Sequence, residues 1–439
     1  MKKLLIITYD FPPALSGVRR VLKWIKYLPD FGWKTLVLTV KPVKTGVRDA
    51  TPLEWLKNRG VPVFRSGSMD PYRIAEILSP QKEVELPQKA HAPKKSKSFM
   101  NFLRRWIFIP DDRCGWIPFA TFKGWGLIRR FKPDAMLSTS YPNTAHIVGL
   151  KLKTLTGIPW VADFRDAWTT NPVFFDPPTP FHGFLQRYLE KWVARKCDLL
   201  LTVSEPITEH FRHLKIENPH SAFRIPHSRI HTLTNGYDEE DYVDLVTHPS
   251  EKFRIVYTGT LFGGRTALPF LKIVKELLSE HPEWKGDMEI CFFSALDQTT
   301  IGWIRDNELD SVIRVEGLQS YKESLQQQMN ASVLMLILET GANSEVMMSQ
   351  KVFEYLRSAK QILALIPEGA CRNLLLTFGD KYISDPSDHE GIKRHITELY
   401  GKWKSGNLEA PNRKGIENYE RRNLTEKLAR HLDDLKFEV

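Results

Sequence analysis

The sequence predicts an α/β protein built from two doubly wound parallel-sheet domains, and three observations carry that expectation. Short runs rich in Val, Ile or Leu alternate with longer helical segments, as they do where strands are buried on both faces of a parallel sheet. The pattern halts at His231-Thr-Leu-Thr-Asn-Gly-Tyr-Asp238 and then starts again. Both series open in the same way, on a strand, a glycine turn and a helix, which is the entry of a nucleotide-binding α/β unit.

In chain order, the first series places strands at 3–8, 35–40, 61–64, 135–139, 160–164 and 199–203, with helices over 18–29 and 181–196 among the intervening segments. The second places strands at 254–258, 289–293, 312–315, 333–338 and 362–366, with a helix over 268–280. The join falls near 236–252, where Asp238-Glu-Glu-Asp241 and His248-Pro-Ser250 break the apolar rhythm. The expected domains are 1–240 and 241–412, followed by a tail over 413–439. No short-period repeat is present.

Composition narrows the class. At 439 residues, 42% hydrophobic and 26% charged, the chain is an ordinary globular one with enough length for two cores. Met1-Lys-Lys-Leu-Leu-Ile-Ile-Thr-Tyr-Asp10 is too short for a signal-peptide core, and no apolar run approaches a membrane span. Four scattered cysteines (114, 197, 291, 371) have no paired spacing and read as reduced core thiols of a cytoplasmic protein. The net charge of +10 is concentrated: residues 19–48 hold eight Lys or Arg against Asp30 alone, and residues 89–110 hold six and no acid. The latter stretch ends in Trp106-Ile-Phe-Ile109. Basic residues running into aromatics fit contact with an anionic membrane surface. A solvated loop is the plainer reading, supported by Ala92-Pro-Lys-Lys-Ser-Lys-Ser98, and no recognised nucleic-acid motif accompanies the charge.

Three constellations carry chemistry. In Ser349-Gln-Lys-Val-Phe-Glu-Tyr355, Lys351 and Glu354 lie three apart on one helix face near its start. A cation for phosphate, a carboxylate for ribose hydroxyls and a helix N-terminus together suit a nucleotide. A surface Lys–Glu pair on an amphipathic helix is the bland alternative. The glycine turns come second. Gly17 follows the first strand, with Arg19 and Arg20 in the first helical turn; Gly259, Gly263 and Gly264 follow the restart, with Arg265 able to clamp phosphate oxygens. Gly259 to Thr266 also has phosphate-loop spacing, but Arg265 stands where such loops carry Lys. Third is Asp163-Phe-Arg-Asp166 at a strand's carboxyl end. Asp163 or Asp166 could orient an acceptor hydroxyl or act as base, with Arg165 beside them; an Arg–Asp bridge holding the loop is the structural alternative. No Asp-x-Asp and no zinc-spaced cluster occurs, so a diphosphate would be met by Arg265, Lys351 and helix N-termini.

Together, Pro12-Pro-Ala-Leu-Ser-Gly17, Asp163-Phe-Arg-Asp-Ala-Trp168, Leu201-Thr-Val-Ser-Glu205, Asn235-Gly-Tyr-Asp238, Tyr257-Thr-Gly-Thr260 and Lys351-Val-Phe-Glu-Tyr355 resemble the retaining family 4 (group 1) glycosyltransferases of GT-B fold. The resemblance spans nearly the whole chain. It implies two Rossmann-like domains facing a central cleft, acceptor bound by the first and nucleotide-sugar donor by the second. It further implies a hexosyl transfer with retained configuration and no metal or other cofactor, to a glycan or lipid-linked acceptor in polysaccharide, lipopolysaccharide or glycolipid assembly. No nucleic-acid partner is expected, and localisation would be cytoplasmic or peripheral on the inner membrane face.

By position, Glu354 would hold the ribose, Arg265 and Lys351 would face the diphosphate, and Gly17 would approach the reacting centre, with Gly259 on the donor side. Arg19, Arg20 and Arg165 lie on the acceptor side. The tail looks like the closing helix that crosses back to the first domain. The chain departs from the family where a donor-sugar Glu is common: the position is Val346, with Glu345 one residue away. Glu339, Thr340, Asn343 and Glu345 are candidates to replace it. Many relatives carry Gly-Arg where this chain has Gly259-Thr260, and a His near the Asp163–Asp166 cluster. A nucleotide-sugar epimerase on the same fold, or a non-catalytic nucleotide-sugar or anionic-lipid binder, are the alternative readings.

Overall fold

The computed structural model describes residues 1–14, 17–42, 51–71, 73–74, 106–214, 216–218, 221–223, 225–261 and 265–435. Most of the basic stretch 89–110 therefore lies outside the described residues. Two compact units result, one from the chain up to Asn235 together with the segment from Arg421 onward, the other from Gly236 to Glu420. The expected divisions at 240/241 and 412/413 compare with these at 235/236 and 420/421.

The first unit is a seven-stranded sheet in the order β3-β2-β1-β4-β5-β6-β9. Its strands are β1 (Lys2–Ile7), β2 (Trp33–Val40), β3 (Val63–Ser66), β4 (Ala135–Ser140), β5 (Trp160–Phe164), β6 (Leu199–Thr202) and β9 (Ile230–Thr232); β7 (Ile216–Asn218) and β8 (Ser221–Phe223) form a separate hairpin. Every pairing in the sheet is parallel, as the β1–β2 register Lys2↔Trp33 through Ile7↔Leu38 illustrates. The crossovers are α1 (Arg19–Tyr27), α2 (Thr51–Asn58), α3 (Ile117–Phe131), α4 (Thr144–Thr156), α5 (Pro180–Lys196) and α6 (Glu205–His213). The helix expected over 18–29 stops at Tyr27, because Pro29 shifts the chain into a tighter turn over Leu28–Phe31 that closes on left-handed Gly32.

The second unit is a six-stranded parallel sheet, β12-β11-β10-β13-β14-β15, comprising β10 (Phe253–Thr258), β11 (Met288–Phe293), β12 (Ile313–Val315), β13 (Val333–Ile337), β14 (Gln361–Leu365) and β15 (Ile383–Ser384). Its helices are α7 (Leu268–Glu280), α8 (Trp284–Asp287), α9 (Gln298–Asp306), α10 (Tyr321–Met329), α11 (Gln350–Arg357), α12 (Ala370–Thr377) and α13 (His389–Lys404). The alternation of strand side chains explains the continuous apolar runs. Val333, Met335 and Ile337 pack into one core, while Leu334, Leu336 and Leu338 pack into the core of the opposite face.

The last helix, α14 (Arg421–Asp433), belongs to the first unit. Leu424, Leu428, Ala429 and Leu432 join Val21, Ile25 and Leu28 in one core, and Asp433 accepts from Lys2 Nζ at 2.8 Å and Trp33 Nε1 at 3.1 Å. Among the described residues all four cysteines are unpaired, and no helix is long and apolar enough to cross a membrane.

Four described residues other than glycine have positive φ, namely Lys132, Glu308, Asn343 and Ala359. Ala359 follows α11 with φ of +51°, the left-handed position where helices usually carry Gly because a Cβ crowds the carbonyl. Ala359→Gly is expected to raise stability by about 0.5–1 kcal/mol, the strain relieved less the added chain entropy of glycine. A urea midpoint that stays put or falls would contradict this.

Candidate functional site

In an open parallel sheet, ligands bind beyond the strand carboxyl ends where the strand order reverses, because adjacent loops there turn to opposite faces and leave a crevice. The second unit reverses between β10 and β13, and the predicted residues converge there. Gly259 follows β10 with φ of +93°, and a Cβ on it would sit 2.6 Å from Lys351 Cε. Lys351 occupies the first turn of α11, where Ser349 Oγ caps its backbone N–H at 3.3 Å. Its Nζ donates to Tyr257 Oη at 2.9 Å and stands 4.2 Å over the Tyr257 ring. Burial, and then the neighbouring charge of Arg265, pull the Lys351 ammonium down to about 7, with Glu354 opposing.

Glu354 is buried one turn further on. Its Oε2 accepts from Gln328 Nε2 at 3.4 Å, and the same amide donates to Thr258 Oγ1 at 3.2 Å. Arg265 borders a cavity of about 560 Å³ with Glu339 and Thr340. Burial raises the Glu339 carboxyl, partly offset by Arg265, and Glu339 Oε2 has no hydrogen-bond partner among the described residues. Asn343 and Glu345 are exposed on the loop after β13, Asn343 at φ of +61°, while Val346 is buried. Gly263 and Gly264 lie outside the described residues.

The first unit reverses between β1 and β4. Arg165 fastens the loops there: Nη1 donates to Gly17 O, Nη2 to Tyr141 O at 2.9 Å, and Nε faces Asp166 Oδ2 at 3.4 Å. Gly17 has φ of +69°, and a Cβ would run into the Arg165 guanidinium. Both the sign of φ and the close approach thus call for glycine. Asp166 is half-exposed, with 40% of its side chain open to solvent. Beside these loops is a cavity of about 530 Å³ walled by Tyr141, Trp168 and Phe174, with Asp111, Asp112 and Asn143. Asn143 Oδ1 is buried without a hydrogen-bond partner among the described residues. Asp111 caps α4 through Thr144 N and Oγ1 at 2.9 and 2.7 Å, and burial pushes its carboxyl up to about 6.

Two residues expected to face a ligand do not. Asp163 and Arg20 are buried against each other, Oδ1 to Nη2 at 2.8 Å and Oδ2 to Nε at 3.2 Å. Arg20 spends its other donors on Leu233 O and Thr234 O at 2.8 and 2.7 Å, and Thr139 Oγ1 donates to Asp163 at 2.7 Å. With polar atoms satisfied internally and no open surface, this pair holds loops together and does not reach an acceptor. Arg19 is partly exposed in the same helical turn.

Several neighbours of the site have little signal in the sequence. Gln328 is one of three consecutive glutamines, and only the helix packing shows which of them turns inward. Tyr257 reads as a strand residue until Lys351 is seen resting on it. Asp10 lies in the Pro12-Pro13 loop region, its carboxyl raised by burial and lowered in part by Arg165 and Arg113. Among the described residues, no group of three or more His, Cys, Asp or Glu is placed to hold a metal ion.

Comparison with known proteins agrees with this geometry at the level of fold. Residues 17–226 match the family model described as a glycosyl transferase 4-like domain. No curated protein sequence matches the chain. Among solved structures, HepE of Anabaena in complex with UDP aligns over 99% of this chain and 100% of its own, at 13% identity and a TM-score of 0.63. Sucrose-phosphate synthase of Thermosynechococcus elongatus aligns over 99% of both chains at 10% identity and 0.66. UDP-GlcNAc 2-epimerase of Methanocaldococcus jannaschii aligns over 98% of this chain and 99% of its own at 12% identity and 0.51. The two units have the Rossmann-like architecture of the GT-B fold.

Two outcomes follow from the site. Asp163→Ala leaves the Arg20 guanidinium buried without its counter-charge and is expected to cost about 3–5 kcal/mol in urea unfolding; a loss under ~1 kcal/mol would show the pair to be dispensable. With burial and Arg265 holding its ammonium down to about 7, Lys351 carries less charge at pH 8 than an exposed lysine. A diphosphate bound here would favour the charged form, so its binding at pH 8 would take up a proton and weaken as pH rises above 7. Calorimetry in buffers of different ionisation enthalpy reads this uptake, which should vanish in Lys351→Met.

Proposed function

We propose that the protein is a glycosyltransferase that moves a sugar from a nucleotide-sugar donor to a glycan or lipid-linked acceptor, with retention of configuration. The observation that carries this reading is Lys351, parked on Tyr257 beside the cleared backbone of Gly259, in the crevice that also holds Arg265 and Glu354. A partly neutralised lysine next to an arginine, on a glycine turn at a sheet's reversal point, suits a diphosphate that brings its own negative charge. The match of residues 17–226 to a glycosyl transferase 4-like domain supports sugar transfer as the chemistry. UDP is the first nucleotide to try, since it is the one named with HepE.

In the proposed reaction, Arg265 and Lys351 stabilise charge as it develops on the departing diphosphate, and Glu354 engages the ribose after exchanging its contact with Gln328. The acceptor hydroxyl attacks from the leaving-group face, and its proton passes to the diphosphate. Of the candidates to read the donor sugar in lieu of a Glu at Val346, we choose Glu339, whose Oε2 has no hydrogen-bond partner among the described residues and which borders the cavity of about 560 Å³. Asp166 is the remaining carboxylate candidate for orienting the acceptor. Metal independence belongs to the proposal, on the ground that two cations meet the diphosphate and no Asp-x-Asp is present. The setting proposed is the cytoplasmic face of the membrane, in assembly of a surface polysaccharide, lipopolysaccharide or glycolipid.

The test starts with calorimetric binding of UDP, GDP, ADP and thymidine diphosphate in excess chelator, followed by transfer assays with the matching nucleotide sugar. One nucleotide is expected to bind near micromolar affinity, about −8 kcal/mol, and Glu354→Ala to lose it. Arg265→Ala and Lys351→Ala are expected to lower turnover by ~10²–10³-fold each. Near-full turnover in both would sink the assigned roles. Release of epimerised sugar nucleotide without acceptor would identify an epimerase instead, and donor binding with no transfer or hydrolysis would identify a binding protein.

A further inference from the structure

Helix α5 has an inner face that the first unit uses and an outer face whose exposed aromatics no contact among the described residues explains. Gly183, Val193 and Ala194 are buried. So is Glu190, the helix's one acid, which accepts from Thr169 N and Oγ1 at 3.0 and 2.5 Å. The opposite face carries Phe184, Tyr188 and Trp192 at intervals of four, with relative exposures of 60%, 52% and 42%. Their rings form a ladder, Phe184 to Tyr188 at 6.4 Å and Tyr188 to Trp192 at 6.1 Å between centroids. Phe181 extends it at the helix start, and His182 Nε2 is 3.0 Å from the carbonyl of Trp106, another exposed aromatic. Between and beyond the rings stand Arg187, Lys191, Arg195 and Lys196.

Large aromatics are seldom left open in a row, since their exposure forfeits the burial that drives folding. Here the row is interleaved with cations, and the helix's only carboxylate is turned inward. Tyr and Trp have apolar bodies with one polar tip, which suits the boundary between lipid headgroups and acyl chains. Cations beside them are attracted to anionic headgroups, and an amphipathic helix of this composition lies flat in the interface. A straight ladder along one helix offers a line of contact to a plane. Along the chain, the exposed acid before the helix is Asp176, in the preceding loop.

We propose that the outer face of α5 docks this protein on an anionic lipid bilayer, with Phe184, Tyr188 and Trp192 entering the headgroup boundary and the flanking Arg and Lys pairing with lipid phosphates. This docking draws on the lipid-linked acceptor of the preceding section only for its purpose, since bilayer binding is read without turnover.

The full chain would be sedimented with phosphatidylcholine vesicles, with or without about one-third phosphatidylglycerol. Phe184→Glu/Trp192→Glu and, separately, Lys94→Glu/Lys95→Glu/Lys97→Glu would run beside it, with UDP binding and oligomeric state measured on each. The expected result is salt-sensitive binding to the anionic vesicles, reduced at least ~10-fold in the α5 variant, with UDP affinity unchanged. Three results would overturn the proposal: no vesicle binding by the natural chain, undiminished binding by the α5 variant, or a dimer of the natural chain that the α5 variant breaks while no form binds vesicles. The last would make a second copy the occupant of this face. Failure of UDP binding in every form would count against the donor site and leave the vesicle result readable.

Discussion

Much of the first unit turns on a single buried cation. A guanidinium has five N–H donors and cannot shed its charge, so enclosing Arg20 obliges the protein to bring acceptors to it from several directions. Asp163 comes from the end of β5, Thr139 supports that carboxylate from β4, and the carbonyls of Leu233 and Thr234 come from the chain just before it leaves the unit. Asn235 Oδ1 lies 3.4 Å from Arg20 and 3.5 Å from Arg421, at the head of α14. One side chain thus fixes the relation of α1, two central strands and the points where the chain exits and re-enters. Such an arrangement contributes specificity more than net stability, because desolvating the ions offsets their attraction.

With that frame held, the loops at the reversal point can be devoted to a ligand. Arg165 binds Gly17 and Tyr141 through their carbonyls, so two loops from different strands share one support. The second unit works differently. There a lysine donates to a tyrosine, and the buried Glu354 accepts from an amide. Each side chain thus has one uncharged hydrogen-bonding partner inside the unit.

The strands were legible because parallel sheets buried on both faces demand unbroken Val, Ile and Leu runs, and β5, residues 160–164, falls where that pattern sets it. The Lys351–Glu354 pair was legible because helical spacing alone puts the two on one face. The burial of Asp163 was not. Asp-Phe-Arg-Asp at a strand end reads as a mouth of polar groups, and the partner that takes Asp163 inward lies 143 positions away, a separation that no local pattern reports. Tyr257, Gln328 and the aromatic face of α5 depend likewise on which side of an element meets the rest of the fold. The tail's leucines have ordinary helical spacing, which by itself names no unit; the expectation that it crosses back to the first domain rests on the family resemblance, and the core they enter belongs to the first unit.

The position of α14 has a consequence for how the protein is made. Val21, Ile25 and Leu28 emerge early in synthesis, but the leucines that cover them come at the very end of the chain, after the entire second unit. At ~5–20 residues per second the ribosome needs roughly twenty to eighty seconds to pass from one to the other. During that interval the first unit waits with an apolar groove uncovered, while the second can already close on itself. Nascent chains of this protein are therefore exposed to chaperone capture and to aggregation through α1, and a truncation as small as the last helix returns the finished molecule to that state.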